Sequence, residues 1–538
     1  MKPRLAAAAE RSLFAGLFAS LADEMLATLV RTAYSPNIKE RRDCSTALFD
    51  GQGQLVAQAA AIPVHLGAMP LSVAAALSAF DEWQPGDIVA LNDPFCGGTH
   101  LPDVTMVSPV FAADGEPPFA FLASRAHHAD MGGASPGSMP LSRDIYQEGL
   151  RIPPTKIVVA GSRRDDIWNL VLANVRTPSE RGGDLRAQQA AHAVGTRRLG
   201  DALMKHGSVE LAARMSDLID YGERLMRAVI AAIPDGEYRF EDVLDDDGFG
   251  TQAIPIVAAI TVAADHVVVD FAGTAPACEG GINAVEAITL SAVRYCFLCL
   301  MATPWEGSLA GVDEPPLNAG CFRPIEVVAP PGTIVNAGPP HGVAAGNVET
   351  SQRIVDVVLG ALAKALPQVI PAAAQGTMNN LTLGGRHPIS GEPYAFYETI
   401  AGGTGAGPTG AGLDGAHAHM TNTWNTPVEA LEFAYPFRVE QYAIRAGSGG
   451  RGEHPGGAGL CREIRVLGRA QGTLIAERRR SRPYGLAGGE PGQPGEDAVL
   501  RAGGLRPLAA KAALDLQPGD AIRVLTPGGG GWGSPAVV

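Results

Sequence analysis

The segments 92–103 and 125–133 together contain three histidines and three aspartates, set among glycines and flanked by apolar runs. The six residues are His100, His127, His128, Asp93, Asp103 and Asp130. Imidazole together with carboxylate is the donor mixture that suits Zn²⁺, Mn²⁺ or Fe²⁺. The sequence therefore predicts a divalent metal site and a metal-assisted reaction on a small polar molecule.

Two of these residues are spaced so that they can bind one ion. His100 and Asp103 are three residues apart, and Pro102 between them prevents a helix from continuing through the pair. In a loop or at a strand end, both side chains can turn toward one point. A role in capping turns remains the alternative for a single pair of this kind, but the second histidine cluster so close by favours a metal site.

The third ligand is expected from the end of a strand. The apolar run at 119–124 has the length and character of a buried strand, which delivers His127 or His128 at its end. Because alternate strand residues face opposite ways, only one of the two histidines points into the site. We expect His127 to be the ligand, with His128 or Asp130 orienting it from behind.

Composition limits the class of protein. The 538 residues carry a formal charge of −14, and no basic cluster suggests a nucleic-acid partner. Seven scattered cysteines, including Cys296 and Cys299 in an apolar run, are typical of reduced, packed thiols in the cytoplasm. No uninterrupted apolar run reaches the roughly 18 residues that span a membrane, so no membrane partner is expected.

The periodicity predicts an α+β protein with mixed sheets, a helical middle region and glycine-rich loops, rather than a doubly wound parallel sheet. We expect three parts: a metal-site domain at 1–235, a central α/β region at 236–375 and a β-rich, glycine-rich region at 376–538. Helices are predicted at 9–35 (apolar stripe Leu13, Leu17, Leu21, Met25, Leu29), 72–80, 179–232, 286–303 and 351–365. Strands are predicted at 45–49, 55–59, 86–91, 258–262, 266–271 and 394–400.

The C-terminal half contains two further candidate sites, a set of glycine-rich loops and a group of histidines and glutamates. The glycine loops at 402–407, 447–450 and 528–531 lack the pattern of a phosphate-binding loop, so tight turns are expected there. His417 and His419, with Glu429 and Glu432 nearby, could bind a second metal or the substrate. Structural hydrogen bonding is an equally good explanation for these four residues.

A set of ordered motifs resembles the hydantoinase B/oxoprolinase family nearly end to end. They occupy residues 40–45, 62–67, 92–103, 148–154, 346–353, 397–405, 419–423 and 526–533. Members of this family are B-type subunits or domains of ATP-dependent hydantoinases, 5-oxoprolinases and related lactamases. The acetone carboxylase alpha subunit is a relative.

The resemblance implies a division of labour between two proteins. A separate A-type subunit, or an N-terminal half in fused members, binds ATP and Mg²⁺ and phosphorylates the substrate oxygen. The B-type part holds a divalent metal, Mn or Zn and in some cases Fe, and completes the reaction in a cytoplasmic hetero-oligomer. In the carboxylase relatives the metal ligands correspond to His100, Asp103 and His127 of this chain.

This division suggests a hydrolytic chemistry for small cyclic amides. Phosphorylation turns an unreactive amide carbonyl into an imidate with a good leaving group, and water activated by the metal then attacks it. Asp130, Asp93 or His128 would accept the proton. Two alternatives remain: a subunit of an ATP-dependent ketone carboxylase, for which turnover requires bicarbonate, and a non-catalytic scaffold for the A-type partner.

Overall fold

The computed structural model describes residues 2–59, 61–113, 116–305 and 316–535. The helices in these ranges are α1 Lys2–Thr32, α2 Pro36–Lys39, α3 Pro63–Leu66, α4 Met69–Ala79, α5 Asp165–Ala173, α6 Pro178–His206, α7 Ser208–Ala231, α8 Glu286–Ala302, α9 Ser351–Ala365 and α10 Val428–Ala434. Helices and strands are interspersed without regular βαβ alternation, so the predicted α+β class is confirmed.

The strands form four sheets in the described part of the chain. The first two contain β1 Cys44–Asp50, β2 Leu55–Gln58, β3 Ile88–Leu91, β4 Asp103–Val110, β5 Ala120–His127, β6 Thr155–Val159, β7 Ser162–Arg163, β8 Gly236–Asp246, β9 Gln252–Ala263, β10 His266–Asp270 and β11 Ile325–Val328. The other two contain β12 Asn380–Arg386, β13 Pro393–Glu398, β14 Phe437–Arg445, β15 Gly459–Val466, β16 Ala470–Ile475, β17 Glu496–Arg501, β18 Gly504–Pro507, β19 Lys511–Leu516 and β20 Ala521–Leu525.

The first sheet is antiparallel, in the order β2-β1-β5-β4-β3-β6-β7. Its two faces are both buried, because alternate strand residues enter different cores. Leu48 and Leu122 pack against α1 and α6, whereas Phe49 and Phe121 pack in the core that includes α4. This double coverage keeps the ends of β4 and β5 away from solvent.

The buried face of helix α1 differs from the predicted apolar stripe. Phe14 and Phe18 are buried with Leu21, while Leu13 is 65% exposed. A strict spacing of four drifts around a helix of 3.6 residues per turn, so the leucine series leaves the buried face toward the N-terminus. Among the described helices, the Ala8–Thr32 part of α1 is long and apolar enough to cross a membrane by length and composition alone. A third of its most apolar 18-residue stretch is buried against the rest of the protein.

The helical stretch predicted at 179–232 is confirmed. It is two helices, α6 and α7, which are divided at Gly207. Gly207 has φ +79, a left-handed conformation that favours glycine and ends a helix. The α6 helix approaches α1 closely at Gly195, where a Cβ atom would lie 2.5 Å from Met25 Sδ.

The second sheet has the order β11-β10-β9-β8, and within it β10 and β11 are parallel. Helix α9 confirms the prediction at 351–365; it lies on β8 and β9 and is buried on almost all sides. A short π-helical turn, Gly346–Thr350, leads into α9 and carries residues toward the first sheet.

The last two sheets pack face to face as a sandwich. One has the order β13-β12-β16-β19 and the other β14-β15-β20-β17-β18. Leu381 and Leu474 of one sheet share a core with Ile464 and Ile522 of the other. The sheets fall within the three predicted ranges, 1–235, 236–375 and 376–538, while the division into domains stays a prediction.

The three glycine loops pack against each other by their backbones. Gly450 N donates to Gly529 O (2.8 Å), and Ala406 N donates to Gly530 O (2.9 Å). A Cβ atom on Gly529 would lie 1.9 Å from Thr404 O, so no other residue fits there. These glycines allow close backbone approach, in agreement with a structural rather than a phosphate-binding role.

Candidate metal centre

The first sheet places two of the predicted ligands directly opposite each other. Asp103 is the first residue of β4 and His127 the last residue of β5, and the antiparallel register pairs them. His100 lies in the turn that enters β4, where Asp103 N donates to His100 O (3.1 Å). All three side chains are buried, so the fold converts a sequence spacing into one compact cluster.

The three side chains converge on a single carboxylate oxygen. Asp103 Oδ1 lies 3.1 Å from His100 Nε2 and 3.2 Å from His127 Nδ1. One donor atom from each of the three residues lies within 4.8 Å of the others. Such spacing is compatible with shared coordination of one cation.

The tautomer of His100 follows from its partners. His100 Nδ1 lies 3.1 Å from Ala344 O, which only accepts, so Nδ1–H is the donor. In the neutral ring, Nε2 then directs a lone pair toward Asp103 Oδ1, and Asn347 Nδ2 donates to that nitrogen at 3.1 Å. Two electron-rich atoms face each other here, an arrangement that a cation between them stabilises. An N–H donated to a backbone carbonyl is the usual support of a metal-binding histidine.

Electrostatics agree with a site that attracts positive charge. Burial alone would raise the pKa of Asp103, but the positive charge that the neighbouring imidazoles of His100 and His65 can carry holds it well below its ordinary value. Burial lowers the pKa of His127, so this imidazole is neutral, as a ligand must be. Burial also opposes charging of His100, but the Asp103 carboxylate outweighs it and raises the pKa of His100.

A small cavity lies beside the cluster. Its volume of about 20 Å³ matches one ion or one water molecule rather than an organic ligand. Its walls come from the first sheet, the Gly346–Thr350 turn and the sandwich, and include Asp103, His127 and Tyr397. The ring of His127 stacks on Tyr397 with centroids 4.5 Å apart, and its buried Nε2 has no hydrogen-bond partner.

These observations fit a divalent first-row metal ion. Two imidazoles and one carboxylate form a donor set common to Zn²⁺, Mn²⁺ and Fe²⁺. An unpartnered, buried ring nitrogen and converging lone pairs are costly without a cation. His100, Asp103 and His127 are therefore the residues that could hold the ion.

The predicted proton acceptors lie elsewhere. His128 Nε2 contacts Gln188 Oε1 on α6 at 3.0 Å, and burial together with the Arg181 charge lowers its pKa to about 4. That His127 and His128 face opposite sides of the sheet is confirmed. The structure thus separates the metal cluster from one of the three predicted acceptors.

The two aspartates are engaged in other contacts. Asp130 accepts from Arg176 through Nη1 at 2.7 Å and through the backbone N at 2.6 Å. Asp93 Oδ1 accepts from Phe95 N at 3.0 Å, which closes a turn. In the described part of the chain neither they nor His128 line the cavity, and their assignment as proton acceptors stays a prediction.

The constellation near His417 is less compact. His419 Nε2 lies 3.7 Å from Asp356 Oδ1, and both ring nitrogens of His417 are buried without a hydrogen-bond partner. Glu432 accepts from Val439 N at 2.9 Å, and Glu429 lies in the first turn of α10. Among the described residues the metal-type cluster is that of His100, Asp103 and His127, so a second site here stays a prediction.

Two cavity residues were missed in the sequence. Asp43 precedes β1, and His65 lies on α3; both are buried and line the cavity. They are far from residues 92–133 in sequence, and only their place in the family-like motifs at 40–45 and 62–67 marked them. No spacing rule links either residue to His100.

The family model of hydantoinase B/oxoprolinase matches residues 8–535. The chain belongs to the hydantoinase B/oxoprolinase family. It is 39% identical to an uncharacterised protein of Methanocaldococcus jannaschii, over 96% of this chain and 88% of that protein. It is 31% identical to the caprolactamase subunit beta of Pseudomonas jessenii, over 95% of this chain and 88% of that subunit.

Longer relatives contain the whole of this fold as a part. A 5-oxoprolinase of Dictyostelium discoideum is 38% identical over 97% of this chain, which spans 40% of that protein. Among solved structures, an ATP-dependent caprolactamase from Pseudomonas jessenii superposes with a TM-score of 0.89 at 29% identity, covering 98% of this chain and 91% of the other. A nucleotide-free acetone carboxylase shares the fold, with a TM-score of 0.85 at 19% identity, covering 97% of this chain and 75% of the other.

Proposed function

We propose that the chain is the metal-holding, catalytic B-type subunit of an ATP-dependent cyclic amidase of the hydantoinase/5-oxoprolinase class. An A-type subunit that binds ATP and Mg²⁺ phosphorylates the carbonyl oxygen of a small cyclic amide, and this chain completes its hydrolysis. The observation that carries the proposal is the buried convergence of His100, Asp103 and His127, with donor atoms within 4.8 Å of one another.

The relatives support the class of reaction and the need for a partner. One relative is named as a beta subunit, and this chain spans 40% of the length of a single-chain 5-oxoprolinase. Both observations are expected if the ATP-dependent step occurs in another chain or region. The proposed assembly is therefore a hetero-oligomer.

The residues of the site have separable roles in this proposal. A divalent ion bound there would polarise the carbonyl group of the substrate and lower the pKa of a nearby water molecule. His100 and Asp103 would hold that ion, and the stacking of His127 on Tyr397 fixes the orientation of the third ligand. The surrounding walls exclude bulk water, which protects an activated substrate from unproductive hydrolysis.

A proton acceptor is also needed when water attacks the activated carbon. We assign this role to Asp43, a cavity-lining carboxylate outside the three-residue metal set. Asp130, Asp93 and His128 would then act at most indirectly, since each is occupied by the contacts described above.

Substrate must reach a cavity that is smaller than any cyclic amide. The segment 421–424 forms a thin wall: Thr421 and Thr423 are buried and line the cavity, while Asn422 and Trp424 are exposed. Its backbone is held by the contacts Val64 N to Met420 O (3.2 Å) and Trp424 N to Arg41 O (3.1 Å). Side-chain contacts add to these: Arg41 donates to Thr423 Oγ1 and Trp424 O, and Asn422 donates to Ala61 O. We propose that this wall moves aside when the activated substrate arrives.

Reconstitution with an A-type partner tests the proposal. Ring-opened product is measured with ATP, a divalent metal and hydantoin, 5-oxoproline or caprolactam as substrates. His100→Ala should lower turnover by about 10³-fold or more, roughly 4 kcal/mol of barrier. His192→Gln removes another buried imidazole, bonded to Ser108 and Ser124, and should leave turnover nearly unchanged.

The same assay separates the alternatives. Full activity of His100→Ala would contradict the proposal and favour a scaffold role. Turnover that requires bicarbonate would indicate a carboxylase. A large loss in Asp130→Asn with unaltered metal binding would restore Asp130 as the proton acceptor in place of Asp43.

A further inference from the structure

The two oxygens of Asp103 have different surroundings. Oδ1 faces His100 and His127, as described above. Oδ2 accepts from Thr99 Oγ1 at 2.9 Å and lies 3.4 Å from His65 Nε2. One oxygen is thus directed toward the metal ligands, and the other is held by a separate pair of side chains.

His65 is itself fixed from its other side. It lies on α3 and is buried, and its Nδ1 is 3.0 Å from Ser45 Oγ on β1. Serine, histidine and aspartate are therefore aligned through the two ring nitrogens. The order resembles a nucleophilic triad, but Ser45 is buried and is not among the described residues that line the cavity, so its hydroxyl cannot reach a substrate there.

We propose that His65 and Ser45 are positioning residues for Asp103. The Ser45 hydroxyl donates to His65 Nδ1, which places the ring proton on Nε2, opposite Asp103 Oδ2. This contact and the Thr99 hydroxyl hold the carboxylate so that Oδ1 is presented to the cavity. The inference rests on the proposed metal site and deepens it, because it names the residues that orient the carboxylate ligand.

The sheet contains a matched arrangement that serves as a control. Ser124 Oγ on β5 lies 3.0 Å from His192 Nε2, and Ser108 Oγ on β4 lies 2.6 Å from His192 Nδ1. This serine–imidazole contact has the same length and similar burial to that of Ser45 and His65, but His192 lies on α6 and faces the sheet, where its ring nitrogens contact Ser108 and Ser124 and not Asp103. Burial lowers the pKa of His192 to about 3, so it is a neutral structural imidazole.

Metal affinity tests the proposal directly. The full-length chain is titrated with Zn²⁺ in competition with a chromogenic chelator, and thermal melting without metal checks that each variant folds. His65→Ala should weaken Zn²⁺ binding by about 10–100-fold, the usual effect of losing a residue that supports a metal ligand. His65→Gln retains an N–H at the end of the side chain and should stay within about threefold of wild type, while Ser45→Ala should lie between them at about 3–10-fold.

Two control variants lie in the matched arrangement around His192. Ser124→Ala and His192→Gln should bind Zn²⁺ like wild type. If His65→Ala abolishes binding as completely as His100→Ala and glutamine does not restore it, His65 is a ligand and the positioning role is wrong. If His65→Ala binds like wild type, the inference fails while the metal site stands, and if wild type binds none of Zn²⁺, Mn²⁺ and Fe²⁺, the proposed function fails with it.

Discussion

Two buried polar regions of this protein differ in the groups that balance the charge of their carboxylates. The first is the candidate metal centre around Asp103. The second, here termed the arginine cluster, joins the second sheet, α9 and the sandwich. Its members are Asp242, Arg353, Asp356, Glu477, Arg478 and Lys511.

In the arginine cluster each carboxylate faces a permanent cation. Arg478 Nη2 lies 2.6 Å from Asp242 and 2.7 Å from Asp356, and Lys511 Nζ lies 2.6 Å from Glu477. Burial would raise the pKa of Asp242, but the charges of Arg353 and Arg478 outweigh it and lower that pKa. The carboxylate charges of such a region are balanced without any ligand.

The metal centre lacks that internal balance. In the described part of the chain the groups within ion-pair distance of Asp103 are the imidazoles of His65, His100 and His127. An imidazole can be neutral, so the cation that balances the carboxylate has to be supplied as a proton or a metal ion. The comparison distinguishes a structural ion network from a site prepared for a ligand.

Arg478→Met should disrupt the arginine cluster and leave the candidate metal centre intact. Removal of one partner leaves buried carboxylates uncompensated, which costs about 3–5 kcal/mol of stability. Unfolding in urea measures the loss, and metal content should be unchanged. Arg451→Met, which removes an exposed ion pair with Glu490, should shift the unfolding midpoint little. Loss of metal in Arg478→Met without loss of stability would contradict the comparison.

Glu349 lies between the two regions and gives a smaller, pH-dependent effect. Its Oε1 accepts from Asn380 Nδ2 at 2.6 Å, and Tyr397, which stacks on His127, donates to Asn380 Oδ1 at 3.0 Å. Burial, aided by the charge of Glu477, raises the pKa of Glu349 to about 8. The folded protein therefore holds this proton more tightly than the unfolded chain does.

The sign of the pH effect follows from that shift. A carboxyl whose folded pKa is raised contributes its full stability below the unfolded value of about 4.5 and loses it as the pH rises toward 8. Glu349→Gln keeps the accepting oxygen without the charge, so its melting temperature should rise relative to wild type between pH 5.5 and 8.5, by on the order of 2 °C. A difference between the two proteins that stays constant over this range would contradict the assignment.

Much of the clustering of the candidate ligands could be predicted because its determinants are local. Pro102 prevents a helix at His100 and Asp103, and the apolar run before His127 forms the strand that delivers it. The two-residue alternation of that strand also separated His127 from His128. The α+β class followed from the same periodicities.

The remainder depends on contacts between distant parts of the chain. Asp43 and His65 reach the cavity through the placement of β1 and α3, and the pairing of Asp103 with His127 is a register that no single sequence displays. Strand β4 itself was not predicted, although it carries a ligand at its first residue. The glycine loops pack on one another over long sequence separations, so their partners were equally hidden.

Metal content is the most direct test of the central claim. The chain, purified without chelator, is compared with His100→Ala, Asp103→Ala and the control His192→Gln by elemental analysis. Wild type and the control should each contain about one equivalent of Mn, Zn or Fe, as expected for a three-ligand catalytic site, and the two ligand variants should contain almost none. A metal-free wild type, or full metal content in both ligand variants, would contradict the account.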